Sequence, residues 1–253
     1  MKGWIWALGL SSLVSIGFAQ DRKVVTEANV EKRTVEAFDA VEVSWAIELI
    51  ITQSDEQAVA ISAERPEDIA RISTEVRNGV LYIHYKDGKN WWQDQWNTMG
   101  RRFRAYVSAP AFRSIASSGS GSVRVEGTLK SEDLTVSLSG SGNIEGRIEA
   151  ESLELTQSGS GNVKLQGKIV NADVRCSGSG NFRSEGLVMD MCDIAMSGSG
   201  NADITVNKEL SARVSGSGNV RYRGTGLIRD MRISGSGKIR RVDSAPAAGT
   251  GTL

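Results

Sequence analysis

The chain has 253 residues, of which 30 are basic and 30 acidic, so its formal net charge is zero. Such a balance argues against an electrostatic nucleic-acid binder, which needs an excess of basic side chains on one face. The 28 glycines against 3 prolines, without a collagen period, favour a regular, turn-rich β architecture over a disordered chain.

The N-terminal sequence MKGWIWALGLSSLVSIGFAQ is typical of a secretory signal peptide. One basic residue precedes an apolar run, and small residues at positions 17 and 19 match the signal-peptidase pattern. We predict that residues 1–19 are a signal peptide cleaved after Ala19. A membrane anchor is the alternative, but the run is short for a span of ~20 apolar residues. We expect no transmembrane span in the mature chain.

Residues 20–117 are predicted to form strands, a hairpin and one short helical turn. Apolar residues alternate from Val41 to Ile51, which is the period of a strand. Asn78-Gly79 separates two alternating runs and predicts a tight hairpin. We expect this part to form the first coils or the cap of the repeat region that follows. A separate small β domain is the alternative.

Three tryptophans, Trp91, Trp92 and Trp96, stand in a polar stretch between predicted strands. Aromatic faces stack on sugars and anchor protein interfaces. These residues are therefore our candidate ligand-binding site. The alternative is that their rings fold back and cover the exposed core at one end of the repeat array.

Residues 118–242 repeat the pentapeptide SGSGN, with the variants SGSGS and SGSGK. The first Ser falls at positions 118, 139, 158, 177, 197, 215 and 234. Numbering columns from that Ser, apolar residues recur in columns −5, −3, −1 and +5. All are odd, so in a strand they share one face, whereas the Ser and Asn columns face the other way. Each unit reads as strand, SGSGN segment, strand and turn, with a frequent Gly in column +9.

One such unit cannot bury its own apolar face, but stacked units can, with ~4.8 Å between strands. We predict an all-β fold, a parallel β-helix. A helical solenoid is disfavoured because Gly-rich repeats with alternating Val and Ile form helices poorly. The Gly columns +1 and +3 are expected to face inward, where the coil is narrow. Residues 243–253 have no apolar period and are expected to be a flexible tail.

Stacking also places identical polar residues above one another, so side-chain amides can hydrogen-bond along the stack. The predicted structural ladder consists of Ser139, Asn143, Ser158, Asn162, Ser177, Asn181, Ser197, Asn201, Ser215 and Asn219. Cys176 and Cys192 are inward by parity, but about four residues apart along the strand, or roughly 13 Å. A disulfide needs Cα atoms within ~7 Å, so we predict two free, buried thiols.

We expect no catalytic, cofactor-binding or metal-binding residues, and no cofactor. The single histidine, His84, lies in an alternating run that predicts an ordinary strand residue. The SGSG segments are followed by strands, whereas a phosphate loop opens a helix. The pentapeptide also carries Asn where a calcium-binding repeat needs carboxylates.

The order of the segments TVEAFDAVEVSWAIELIITQ, VRNGVLYIHY, YVSAPAFRSIASSGSGSV and repeated SGSGN resembles one known family. It is the putative auto-transporter adhesin, head GIN domain family of bacterial exported proteins. The resemblance covers about residues 34–240. It implies a right-handed β-helix in a cell-envelope or surface setting, without naming a ligand or catalytic residues.

We therefore predict an exported, non-catalytic protein of adhesin-like type, periplasmic or at the cell surface. Its partner is an unidentified extracellular glycan or protein, bound through the β-helix surface or the tryptophan-rich segment. A purely structural envelope scaffold without a ligand is one alternative. A carbohydrate-active β-helix enzyme is another, and it would need paired carboxylates on one coil face.

Overall fold

The computed structural model describes residues 29–86 and 101–242. Within them, one short helix, α1 (Pro66–Ile69), accompanies strands that all join one sheet. The strands are β1 (Val30–Arg33), β2 (Ala40–Trp45), β3 (Ile47–Gln53), β4 (Ala58–Ala63), β5 (Ile72–Arg77), β6 (Val80–Tyr85), β7 (Phe103–Ala109), β8 (Ser114–Gly119), β9 (Ser122–Gly140), β10 (Asn143–Gly159), β11 (Asn162–Gly178), β12 (Asn181–Gly198), β13 (Asn201–Gly216), β14 (Asn219–Arg223), β15 (Leu227–Gly235) and β16 (Lys238–Arg241).

The sheet winds into a β-solenoid of about seven turns with coils of ~19 residues. Strands β9 to β13 pair in parallel, and each SGSGN segment lies beside the next. Asn143 pairs with Asn162, for example, and Asn162 pairs with Asn181. The predicted stack of parallel coils is confirmed, and so is its register on the repeated Ser.

The apolar columns line the inside of the solenoid. Every residue of column +5 from β9 to β14 is at most 1% exposed, and they are Val123, Ile144, Val163, Phe182, Ala202 and Val220. The large ring of Phe182 lies beside the small Ala202 in this register, so the volumes compensate one another. Burial of each large side chain contributes about 1.5–3 kcal/mol, and the repeated columns together form one continuous core.

Where the column +9 glycine predicted a turn, three of the four coils have a continuous strand instead, two of them with a bulge. Gly127 and Gly167 lie within β9 and β11 with φ of +75° and +119°. The pairing register shifts at Gly127, where β9 has two residues more than β10, and just before Gly186, where β12 has one residue more than β11. A bulge bends the strand around the corner of the coil while the ladder continues on either side. Only Gly224, between β14 and β15, lies in a break of the chain's strand.

The prediction that both SGSG glycines face inward is half correct. Column +3 is buried, but column +1 is only partly covered and has positive φ, such as +98° at Gly178. In the corners from Trp45 to Gly198, the carbonyl of the column +1 residue accepts two N–H groups from the next coil. The amides of Ser179 and Gly180 each lie 3.0 Å from the Gly159 oxygen. The glycines are required because backbone stacks directly on backbone at this corner.

β2 and β3 form an additional coil that lacks the SGSG pattern. Ser44 pairs with Ser118 and Trp45 with Gly119, so "SWAI" occupies the place of SGSG. Trp45 has a φ of +72°, a strained value for a bulky residue. Its ring stacks on Tyr85 with centroids 4.3 Å apart, which offsets part of that strain.

The N-terminal end of the stack is closed by antiparallel strands. β6 runs parallel to β2, and β7 runs parallel to β3, which makes one further coil. β5 then pairs antiparallel with β6, while β4 and β1 extend the other face in the same way. The predicted hairpin is confirmed, with positive φ at Asn78 and Gly79, and α1 is the predicted helical turn.

The two cysteines are free and buried, as predicted. Cys176 lies opposite Met196, whereas Cys192 lies opposite Ala172, four positions away along the strand. Burial raises the pKa of the Cys176 thiol to about 12. Burial, together with the nearby Asp193 and Asp173 carboxylates, also raises the pKa of Cys192.

We expect the native chain to resist Ellman's reagent at pH 8, and the unfolded chain to react at both cysteines.

The raised pKa values of the two thiols also predict that the free energy of unfolding falls in alkali. The unfolded thiols lose protons first, from about pH 8.5, so the free energy of unfolding declines from there as the pH rises towards the folded values. Denaturant titrations between pH 7 and 10 would measure this, and a Cys176→Ala/Cys192→Ala variant should show a shallower decline. Rapid reaction of the native chain with Ellman's reagent would contradict the buried placement of Cys176 and Cys192.

Candidate functional site

The Asn column forms a hydrogen-bonded chain along the outside of the solenoid. Each amide nitrogen donates to the side-chain oxygen of the preceding coil. Asn162 donates to Asn143 at 3.1 Å, Asn181 to Asn162 at 3.0 Å, Asn201 to Asn181 at 3.1 Å and Asn219 to Asn201 at 2.9 Å. Since every amide in the middle of this chain is engaged on both sides, the column stiffens the corner and offers few free groups to a ligand.

The Ser column stacks in the same register, but its hydroxyls do not bond one another. The residues concerned are Ser139, Ser158, Ser177, Ser197 and Ser215, all exposed. Ser177 donates to the Gln157 carbonyl oxygen at 3.4 Å, and the other four make no side-chain hydrogen bond within the described part of the chain. Their hydroxyls therefore remain open to solvent and to hydrogen-bonding partners.

Trp91, Trp92 and Trp96 lie outside the described residues, as do the predicted signal peptide and the tail at 243–253. The segment that carries the tryptophans joins β6 to β7. Val43 pairs with Ile83, and Ile47 pairs with Phe103. At the described ends of β6 and β7, the rings of Tyr85 and Phe103 both contact the ring of Trp45.

A second candidate site lies on the flat outer face built from columns −4 and −2 of successive coils. In column −4, Asp173, Asp193, Ser211 and Asp230 lie side by side. In column −2, the order is Arg175, Ala195, Arg213 and Arg232. In these four coils, the methyl group of Ala195 thus lies where the others have a guanidinium. The result is an open depression of about 620 Å³, which we call the Ala195 depression.

Ion pairs close the depression on two sides. Arg175 donates to Glu154 at 3.0 Å and to Asp173 at 2.8 Å on one side. On the other side, Arg213 and Arg232 both donate to Asp230, at 3.0 and 3.2 Å. The two arginines hold the pKa of Asp230 below its usual value, against an opposing effect of desolvation. Both rims are therefore fixed in position while keeping donors and acceptors at the surface.

Asp193 lies between these rims and makes neither an ion pair nor a hydrogen bond within the described residues. It is exposed, and its neighbour Ser211 is buried. The Asp193 carboxylate can accept hydrogen bonds from a small polar ligand, while the flanking guanidinium groups donate hydrogen bonds to the same ligand. This combination suits a partner that carries several hydroxyl groups.

The described residues contain no group of His, Cys, Asp and Glu that could hold a metal ion. His84 is a half-buried strand residue opposite Ser73, in agreement with its expected role. No helix in the described ranges has the length and apolar character of a membrane span.

Sequence reasoning did not identify the Ala195 depression. The signal was present, because columns −4 and −2 can be read from the same alignment on Ser that revealed the apolar columns. In the sequence alone, the even columns have the composition of a uniform solvated face. The position of the small Ala195 between Arg175 and Arg213 becomes apparent only when neighbouring coils are in register.

The chain matches the family model described as "Putative auto-transporter adhesin, head GIN domain" over residues 37–226. No curated protein matches the sequence.

Several solved structures share the fold. A putative adhesin from Bacteroides fragilis is 21% identical, with a TM-score of 0.73, over 84% of this chain and 96% of that one. A putative lipid binding protein from Parabacteroides distasonis is 21% identical, with a TM-score of 0.66, over 85% and 97%. A putative adhesin from Parabacteroides merdae is 18% identical, with a TM-score of 0.63, over 85% and 95%. At these identities the likeness establishes the fold alone.

Proposed function

Because the chain belongs to the putative auto-transporter adhesin, head GIN domain family, we propose that it is an exported, non-catalytic adhesin-like protein. It acts at the cell surface or in the periplasm and binds an extracellular glycan on the outer face of the solenoid. The observation that carries this proposal is the Ala195 depression, where the unpaired Asp193 carboxylate lies between two arginine clusters.

The chemistry of the depression favours a glycan over an apolar ligand. Its rim groups are guanidinium and carboxylate, which form directional hydrogen bonds with hydroxyl groups. Arg175 and Arg213 flank Ala195 from the coils on either side. They are therefore about 9.6 Å apart, two strand spacings, which is a span that one or two sugar rings fill. The solenoid fixes this spacing because each coil is hydrogen-bonded to the next.

The tryptophan-rich segment is the second candidate contact. In the sequence it follows β6 and precedes β7, two strands of the N-terminal coil. Indole rings would supply a stacking surface, which the Ala195 depression does not offer among the described residues, since none of those lining it is aromatic. Export is supported by the N-terminal sequence, with cleavage after Ala19.

A binding screen against glycans and matrix proteins tests the proposal. We expect the mature chain to bind at least one glycan, and Asp193→Asn/Arg213→Gln to weaken that binding about tenfold or more. The matched control is Glu149→Gln/Lys168→Gln, which removes one charge of each sign from exposed sites elsewhere on the solenoid. It should bind as the parent does.

A Trp91→Ala/Trp92→Ala/Trp96→Ala variant separates the two contacts. Binding lost with thermal stability kept would assign recognition to the tryptophans instead of the depression. Absence of any glycan or protein ligand would contradict the proposal and favour a structural scaffold. Stability lost in the tryptophan variant, by several kcal/mol, would indicate that these rings cover part of the core.

A further inference from the structure

The two ends of the solenoid are built differently. Antiparallel strands close the N-terminal end, but the last strands at the C-terminal end are parallel additions. β16 pairs with β14 on one face, whereas β15 pairs with β13 on the other. Nothing in the described part of the chain pairs with the outer edge of β15. The C-terminal end, defined here as residues 219–242, is therefore one strand short on the β15 face.

This missing strand leaves apolar side chains uncovered. Met231 and Ile233 belong to the inward columns −3 and −1, and their equivalents in earlier coils are buried. Here they are 40% and 48% exposed, which corrects the expectation that these columns are buried in every coil. Leu227 is 75% exposed, and Ile228 is 42% exposed. Four of the five exposed large hydrophobic residues in the described chain thus lie on β15.

The same end is strongly basic, although the whole chain is neutral. Residues 219–242 contain seven basic side chains and one carboxylate, Asp230. Arg221 is paired with Asp203, and Arg229 with Glu209. Four others make no ion pair within the described residues, and they are Arg223, Lys238, Arg240 and Arg241. The C-terminal end therefore carries unneutralised positive charge on β14 and β16 and exposed apolar side chains on β15.

The positive charge of the C-terminal end limits which partners can bind there. A second copy would bring two equally basic ends together, and like charges oppose that contact. Residues 243–253 offer a single large apolar side chain, Leu253, and cannot replace the buried columns of a coil. A partner surface that is both anionic and amphiphilic would neutralise the basic side chains and cover the exposed apolar ones.

We propose that the C-terminal end docks on a bilayer whose headgroups are anionic. Leu227, Met231 and Ile233 enter the boundary between headgroups and acyl chains. The basic side chains of β14 and β16, at the same end of the solenoid, extend to the phosphates, as long cationic side chains do at membrane interfaces. The solenoid then stands on the membrane by its open end, and its side faces remain available to other partners.

Co-sedimentation with vesicles tests this docking. The mature chain should bind vesicles of equal parts phosphatidylglycerol and phosphatidylcholine, and bind pure phosphatidylcholine far more weakly. Lys238→Gln/Arg240→Gln should reduce the partition coefficient by about 25-fold, at roughly fivefold per charge. Leu227→Ser/Ile233→Ser should reduce it by about tenfold or more. Raising the salt concentration should weaken binding of the parent chain, since exposed charges are screened.

The matched control is Lys164→Gln/Lys168→Gln on β11. Lys164 occupies the column of Arg240 in an inner coil, and both lysines are exposed. We expect this variant to bind as the parent does. An equal loss in the control would overturn the proposal, because binding would then depend on general charge. Failure of the parent to bind anionic vesicles would also overturn it. So would a dimer in light scattering that Leu227→Ser/Ile233→Ser abolishes, since a second copy would then cover this end.

Discussion

Replacement of Gly178 by Ala is expected to lower the free energy of unfolding by about 2–5 kcal/mol. Gly178 has a φ of +98°, which costs an L-residue about 1–2 kcal/mol. A Cβ at this position would also collide with the carbonyl oxygen of Gly159 in the preceding coil, and such crowding costs about 1–3 kcal/mol. Denaturant unfolding followed by circular dichroism would measure the change.

Two other glycines separate these contributions. Gly127 has a φ of +75°, and no atom lies within 4 Å of the place that a Cβ would occupy, so Gly127→Ala should show the conformational cost alone. The φ of Gly186 lies outside the range that disfavours L-residues, and a Cβ there would contact only the flexible side chain of Gln166. Gly186→Ala should therefore be close to neutral. If Gly178→Ala cost no more than Gly127→Ala, close stacking of backbone at the Ser-Gly corner would be refuted.

Asp68→Asn is expected to destabilise the chain by about 3–5 kcal/mol, the usual cost of breaking a buried ion pair from one side. Asp68 is 1% exposed, and Arg101 donates to its two oxygens at 2.7 and 2.8 Å. Arg71 lies 3.8 Å away and also donates to the Tyr85 hydroxyl, so this pair is linked to the aromatic cluster of the cap. An amide cannot balance the charge of the partly buried Arg101. Thermal and denaturant unfolding would both report the loss.

The exposed pair between Arg113 and Asp39 provides the comparison. The Nε of Arg113 lies 2.7 Å from the Oδ1 of Asp39, but both side chains are about half exposed. Solvent screens such a pair, so Arg113→Gln should cost only about 0–1 kcal/mol. Equal effects of Asp68→Asn and Arg113→Gln would show that burial does not govern the contribution of Asp68.

The predicted elements show which structural features a local sequence pattern can determine. The Ser-Gly corner, the inward columns and the hairpin at Asn78-Gly79 were all predicted, because each depends on residues close in sequence or on a strict repeat. First coils were expected within residues 20–117, but the SGSG register of β2 and β3 was not identified, because Trp45 stands where every later coil has glycine. Its left-handed backbone is stabilised by the Tyr85 ring, which is distant in sequence.

By itself, the sequence determined the parallel solenoid, its register and its buried columns, since a period of about 19 residues with alternating apolar positions permits little else. Only the tertiary structure decided where that pattern fails. The Ala195 depression exists because three coils place Arg175, Ala195 and Arg213 side by side. The exposure of Met231 and Ile233 depends on the absence of a strand beyond β15 among the described residues. Both are properties of neighbouring coils, and a single repeat unit read alone contains neither.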